Sequence, residues 1–301
     1  MNGGSTNSDA GRGTAVGIVA AVVALLFWGM TSVIGRITDL DPLSLVFHRL
    51  WLAALFATVV LYARGGRLDL DHLRLSVAGG IGFAVDLMLF FMAIRRTTVA
   101  NATVIVAMVP IPMLVIAPRL FGEKLARTDV AWAVVAMGGV SLLVFGSTGL
   151  PTWSPAGDLL AVGALVGWTL YVAASKRTRD RVDALSYTTH TGLVAAIVVT
   201  PFALLSGQDL SWPDREGWFW VTLSAIVVGW GGHLLMNLAI GRIPVWLSGT
   251  LQLGIPVAAT VLVALFLDEA ITPLQVGGMA IAIAAMTAMV LQSQRRSAPP
   301  A

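Results

Sequence analysis

Ten apolar runs of about 20 residues each, separated by short polar connectors, decide most of what this 301-residue chain is able to fold into. Hydrocarbon supplies no water to complete backbone hydrogen bonds, so a run that enters it must satisfy its own N–H and C=O groups, as a helix does. The runs lie at roughly 14–36, 43–63, 73–95, 98–120, 128–147, 156–176, 185–205, 216–240, 243–267 and 272–292, with ends good to about 2–4 residues. Composition agrees: 57% of residues are hydrophobic and 12% charged, about half the charged share of a soluble domain. The fold class read from this is an all-α membrane protein of ten transmembrane helices.

The connectors carry turn residues: Asp39-Leu40-Asp41-Pro42, Gly65-Gly66, Gly149-Leu150-Pro151, Gly207 and Trp212-Pro213. None is long enough to hold a domain. The opening MNGGSTNSDAGRGT reads as a flexible 1–13 segment with no short cleavable leader, so the first span is expected to stay in the protein. Residues 293–301 read as a polar tail. With the N-terminus in the cytoplasm, 14 of the 19 basic residues fall on the cytoplasmic side. The positive-inside rule therefore places both termini there. The basic residues sit at a membrane face, which argues against a nucleic-acid partner.

A 146-position shift superposes the chain on itself. Ala93, Ile94 and Arg96 return as Ala239, Ile240 and Arg242; Val99 returns as Val245, Pro110 as Pro256, Val115 as Val261 and Glu123 as Glu269. Two copies of one unit follow, over 14–147 and 156–292 with a linker at 148–155. Each copy holds five spans, an odd number, so the second enters the membrane upside down. Connector charge fits this inversion: Arg119, Lys124 and Arg127 follow span 4, whereas Asp268 and Glu269 follow span 9. Inverted repeats are a recurring design of secondary transporters, with the substrate near the midplane between the copies.

Polar groups inside spans mark the candidate site, because a charge at the bilayer centre costs about 2.5–3.5 kcal/mol on insertion scales. Asp86, mid-span 3, is read as a contact for a substrate amine or as a proton-coupling carboxylate, against a structural hydrogen bond. Phe90 and Ala93 follow on its face. Trp230, His233 and Asn237 are placed on one face of span 8 by helical spacing. Pseudo-symmetry brings His233 toward Asp86, and a histidine beside a carboxylate is suited to proton coupling. Trp28 and Trp168 form a second symmetric pair, which aligns Arg36 with Lys176. They are weighed as walls for an aromatic or cationic substrate against plain buried aromatics. The other tryptophans, Trp246 among them, are assigned to the interfacial belt. Gln252 is read as a cavity-lining amide. Arg49 is weighed as a fork for a substrate carboxylate against a snorkelling residue paired with Asp39 or Asp41. Pro110 and Pro256 are kink or hinge positions. Glu123 and Glu269 are read as structural, at span ends.

Phe27-Trp28-Gly29-Met30, His48-Arg49-Leu50, the Ala93–Pro110 stretch through Gly122-Glu123-Lys124, and the Ala239–Pro256 stretch through Asp268-Glu269 resemble the drug/metabolite transporter superfamily. The match is to two EamA-type repeats over about 15–292. The resemblance implies ten helices, cytoplasmic termini in the cell inner membrane, and alternating-access export of small metabolites from a site formed by spans 1, 3, 4, 6, 8 and 9. Aromatic amino-acid exporters of the superfamily are a comparison that no motif singles out. In the second copy Asp268 stands where the pattern has glycine, and no lysine follows Glu269.

The function expected is export of amino acids or related amphiphiles. Multidrug or organic-cation efflux stays open beside it. An intramembrane enzyme is the reading from another class, and a non-transporting scaffold is disfavoured by the paired halves. No catalytic residue, cofactor or metal site is assigned. The chain has no cysteine, no Walker A loop and no HExxH motif. The partners expected are a small-molecule substrate and the lipid bilayer; protons and a homodimer are left open.

Overall fold

A computed structural model describes residues 4–38, 40–97, 99–148 and 154–297. The Gly149–Pro151 turn, most of the 148–155 linker, Asp39, Trp153 and the end of the polar tail lie outside the described residues. The helices are α1 (Gly4–Ile37), α2 (Pro42–Ala63), α3 (Leu70–Ile94), α4 (Val99–Ala107), α5 (Pro110–Phe121), α6 (Arg127–Thr148) and α7 (Pro155–Thr178). They continue with α8 (Ala184–Leu205), α9 (Arg215–Leu223), α10 (Gly232–Ile240), α11 (Val245–Leu251), α12 (Gly254–Leu267) and α13 (Pro273–Ser297). A π-helical turn, Ser224–Gly231, joins α9 to α10.

Ten helical spans are long and apolar enough to cross a bilayer, and the chain is a multi-pass membrane protein. Their outer faces expose Leu55, Val59, Leu159, Val166 and Leu265, which suits contact with lipid tails. Sequence sets where helices begin and end. Asp69, Asp183 and Asp214 accept hydrogen bonds from the N–H groups of the following first turns. Gly122 closes α5 in the left-handed conformation at φ 63°, and Asp268, at the repeat-equivalent position, closes α12 at φ 53°. Aspartate is among the few residues that adopt this conformation at modest cost, so the departure from the family pattern keeps the same cap.

Three spans differ from the uniform helices expected. Span 4 breaks at Met108–Val109, just before Pro110, and span 9 breaks at Gln252–Leu253, just before Pro256. Proline lacks the N–H, and its ring clashes with the carbonyl four residues back, which for Pro256 belongs to Gln252. Tight i→i−3 bonds bridge both breaks, from Val109 N–H to Val106 and from Ile255 N–H to Gln252. Span 8 contains the π turn. At its ends the structure runs past the expected limits: α1 is helical from Gly4, and α13 reaches Ser297.

Packing joins the early spans to the late ones. α3 lies along α7, α1 along α12 and α10, α2 along α8, and α6 along α13. At the α3–α7 crossing Gly82 and Gly167 face each other, and a Cβ on either would sit 2.7 Å from the other helix's backbone. The two helices approach this closely because both positions lack side chains.

Candidate functional site

The centre of the bundle is an aromatic and amide cluster drawn from α1, α3, α7, α10 and the α11–α12 break. Trp28 and Trp168 meet edge to face at 5.4 Å between ring centroids, so the symmetric pair identified in the sequence is in contact. His233 packs 5.1 Å from Trp28 and 4.4 Å from Phe83. Trp28 reaches this position over Gly232, where a Cβ would lie 2.6 Å from the indole Nε1.

Polar bonds tie the cluster together. Trp168 Nε1 donates to Gln252 Oε1 at 2.5 Å. Gln252 is held at the break before Pro256 and donates in turn to the Ser248 carbonyl. Tyr171 Oη lies 3.1 Å from His233 Nδ1. Asn237 donates to Tyr171 Oη and to Thr188 Oγ1, both at 3.0 Å, and accepts from Ser175 Oγ at 2.5 Å. Tyr171, Phe83, Ser175 and Thr188 were not singled out in the sequence. Tyr171 lies three residues after Trp168 on α7, the same spacing that was applied to α10, and that spacing was the available signal.

Trp230 stands at the edge of the cluster, across a small cavity that it lines with His233 and Tyr171. It packs against Phe56 of α2 at 5.0 Å. The expectation that Trp230, His233 and Asn237 share one face assumed an unbroken α-helix. Trp230 lies within the π turn that ends at Gly231; it lines one small cavity with His233, and Asn237 does not border that cavity. Phe90 packs with Ala93, Ala102 and Ala161 in a separate small cluster toward the chain's α4. Trp246 is buried inside α11, not placed in a belt, because α11 is buried along its whole length.

Asp86 is half-buried and makes neither a hydrogen bond nor an ion pair. It is not in hydrogen-bonding contact with His233. Arg49 is neither snorkelling nor paired with Asp41. It is buried at 8% exposure, and its Nε has no hydrogen-bond partner. It lines a cavity of about 30 Å³ together with His233, Tyr171, Thr191 and Trp230.

Each end of the bundle carries an ion pair between the halves. Glu123, after α5, accepts from the Val245 N–H through both carboxylate oxygens at 2.8 and 2.9 Å, capping α11. Lys176 Nζ lies 3.4 Å from the same carboxylate and donates to the Ile240 and Ile243 carbonyls. Glu123 is thus largely buried, not a surface residue. Arg36 pairs with Glu269, and both are half exposed beside a cavity of about 240 Å³ that also touches Ser32, Thr103 and Pro256. Among the described residues no three His, Asp or Glu side chains are grouped to hold a metal.

Comparison with known proteins places this architecture. An uncharacterized transporter of Bacillus subtilis, YetK, is 24% identical over 231 residues, covering 75% of this chain and 69% of that relative. The threonine/homoserine exporter RhtA of Escherichia coli K12 is 25% identical over 239 residues, covering 78% and 75%. A solved crystal structure superposes with a TM-score of 0.82 at 21% identity, over 93% of this chain and 99% of that one. At that identity it speaks for the fold. The EamA-like transporter family matches twice, over residues 15–145 and 155–291, and the chain belongs to that family.

Proposed function

We propose that the protein is an alternating-access exporter of small amphiphilic metabolites, amino acids first among them, in the cell inner membrane. The observation that carries the reading is the central cluster. Trp28 from the first half meets Trp168 and His233 from the second, with Gln252 at a helix break. A site shared by two halves and bordered by interrupted helices suits a carrier whose halves rock about it. Asp86, Trp28, Trp168, His233, Asn237 and Gln252 line the route in this reading. Phe90 stands outside the central contacts, Trp230 borders the cavity beside His233, and Pro110 and Pro256 serve as hinges. The exchange of ion pairs supports inverted halves: Glu123 and Glu269 are repeat equivalents, as are Lys176 and Arg36, and each glutamate pairs with the cation of the other half. Threonine and homoserine enter as candidates through the exporter relative. Aromatic amino acids enter through the tryptophan walls.

Organic-cation efflux is the second reading, favoured by Asp86 beside an aromatic cluster. Counterflow in proteoliposomes tests both. Saturable exchange of threonine or an aromatic amino acid is expected, reduced at least about tenfold in Asp86→Asn through loss of a charged contact. Exchange confined to cations selects the second reading, and no exchange of any probe by folded protein sinks both. Coupling to protons through Asp86 or His233 predicts rates that follow an imposed pH gradient. Normal transport by Asp86→Asn and His233→Ala, with no response to the gradient, removes it.

A further inference from the structure

α2 and α3 both pack along α8 and only lightly on one another, and where α3 ends they leave a cavity of about 500 Å³. That volume is in the range of sites that hold small molecules. Its wall is apolar. Leu43 stands at the start of α2, Met88, Phe91 and Met92 in the last two turns of α3, and Phe202 in the last turn of α8. Met92 and Phe202 are exposed, at 42% and 54%, so the cavity opens sideways through the apolar flank of the bundle. Arg95 and Arg96 also line it, directly after the apolar span Leu70–Ala93. Basic residues at span ends sit at headgroup level. Met88 precedes Arg95 by two helical turns, which sets it about 10 Å deeper.

The polar groups that this lining leaves unengaged are donors. Neither guanidinium has a hydrogen-bond or ion-pair partner among the described residues. Arg242, which matches Arg96 in the 146-position correspondence, behaves differently and donates to the Leu238 carbonyl of its own helix. Gln208 accepts the Leu43 N–H through Oε1 at 2.8 Å, which leaves its amide NH2 to donate. Ser206 is engaged on both sides: its Oγ donates to the Ala203 carbonyl and accepts from the Gln208 N–H. Among the described residues no carboxylate lines the cavity. Asp41 and Asp209, close by in sequence, line a different cavity, and each accepts a backbone N–H.

A neutral lipid tail would cover the apolar wall and leave the guanidiniums unanswered. A free inorganic anion would do the reverse. An anionic phospholipid meets both needs, with acyl carbons against Met88, Phe91 and Phe202 and a phosphate for the arginine forks, which match it bidentately. Basic pockets between spans take anionic headgroups in this way.

We propose that this cavity is a binding site for one anionic phospholipid, its phosphate held by Arg95 and Arg96 and its acyl chain seated between α2, α3 and α8. The site shares no residue with the central aromatic cluster, and it does not depend on which solute the protein moves.

Native mass spectrometry of the full chain in a neutral detergent counts retained lipids directly. The probes are phosphatidylglycerol, phosphatidylcholine with the same acyl chains, and glycerol 3-phosphate. A basic residue at headgroup level is worth about fivefold in affinity for an anionic lipid. One phosphatidylglycerol is therefore expected to be held at least about fivefold more tightly than phosphatidylcholine, and glycerol 3-phosphate not at all. Arg95→Gln with Arg96→Gln should weaken phosphatidylglycerol about 25-fold and erase the preference. Arg119→Gln with Arg177→Gln removes the same charge from exposed positions elsewhere and should change nothing. Met92→Trp keeps both arginines, fills the apolar part of the cavity and should expel the lipid. Equal retention of the two lipids, indifferent to the variants, means annular lipid only and overturns the proposal. Equal weakening by the two double variants overturns it in favour of diffuse attraction to a basic protein. Glycerol 3-phosphate held as tightly as phosphatidylglycerol, or a lipid retained unchanged by Met92→Trp, leaves an anion site without an acyl seat and overturns it too.

Discussion

At the scale of single residues, the site depends on a missing side chain as much as on those present. Gly232 is followed by His233, and the absent Cβ is what lets the Trp28 indole lie over α10. Gly232→Ala drives a methyl group into that ring. A stability loss of about 1–3 kcal/mol is expected, the usual cost of overpacking a filled core. Transport should fall with it, since Trp28 must give way toward Trp168. Gly138→Ala on α6 is the control, because nothing lies within 4 Å of its Cβ position. Thermal unfolding of the two variants checks this, and equal midpoints would contradict it. Asp86 and Arg49 were both visible in the sequence as polar intrusions.

At the scale of elements, the buried clamp on α11 is the contact most worth breaking. The Glu123 carboxylate satisfies N–H groups at the helix start and holds Lys176, which in turn holds two carbonyls of the α10–α11 turn. An anion at a helix N-terminus contributes about 0.3–2 kcal/mol, more where it is partly buried as here. Glu123→Gln removes the charge but keeps the shape, and α11 should open more often. The chain has no cysteine, so Ser248→Cys, buried on α11, becomes a single reporter. A membrane-permeant maleimide should label it about tenfold faster in the Glu123→Gln background, corresponding to about 1.4 kcal/mol. Unchanged labelling would show that packing alone holds the helix. The helix breaks before Pro110 and Pro256 were legible because proline acts locally on its own turn. The π turn was not: nothing in Ser224–Gly231 distinguishes it by residue type from an α-helical glycine-containing stretch, and α2 and α1 pack against it from parts of the chain far away in sequence.

At the scale of the molecule, the halves are interleaved and not set side by side. The principal packing partners of α1, α2, α3 and α6 all come from the second half. An inverted arrangement makes a sharp topological prediction. Gly66 and Ser211 lie in connectors that the repeat brings into correspondence, after spans 2 and 7. Single cysteines there should react with an impermeant maleimide from opposite sides of the membrane, Ser211→Cys from outside in intact cells and Gly66→Cys only after permeabilisation. Labelling of both from one side would end the inverted reading and the cytoplasmic placement of the termini with it.

The sequence by itself determined the class, the ten spans and the family. These follow from composition, run length and local motif, which act over one helix or one turn. It also pointed to Trp28, Trp168, His233, Asn237 and Gln252, because polar and aromatic groups inside hydrocarbon require partners wherever the fold puts them. Only the tertiary structure decided who those partners are. Trp230 packed against Phe56 at the edge of the His233 cavity, Phe90 packed into a side cluster, and Glu123 became a buried clamp. Arg49 left the surface for the interior. Each outcome depends on the rotation and crossing of helices distant in sequence, and helical spacing along one chain segment carries no information about the segment that will pack against it.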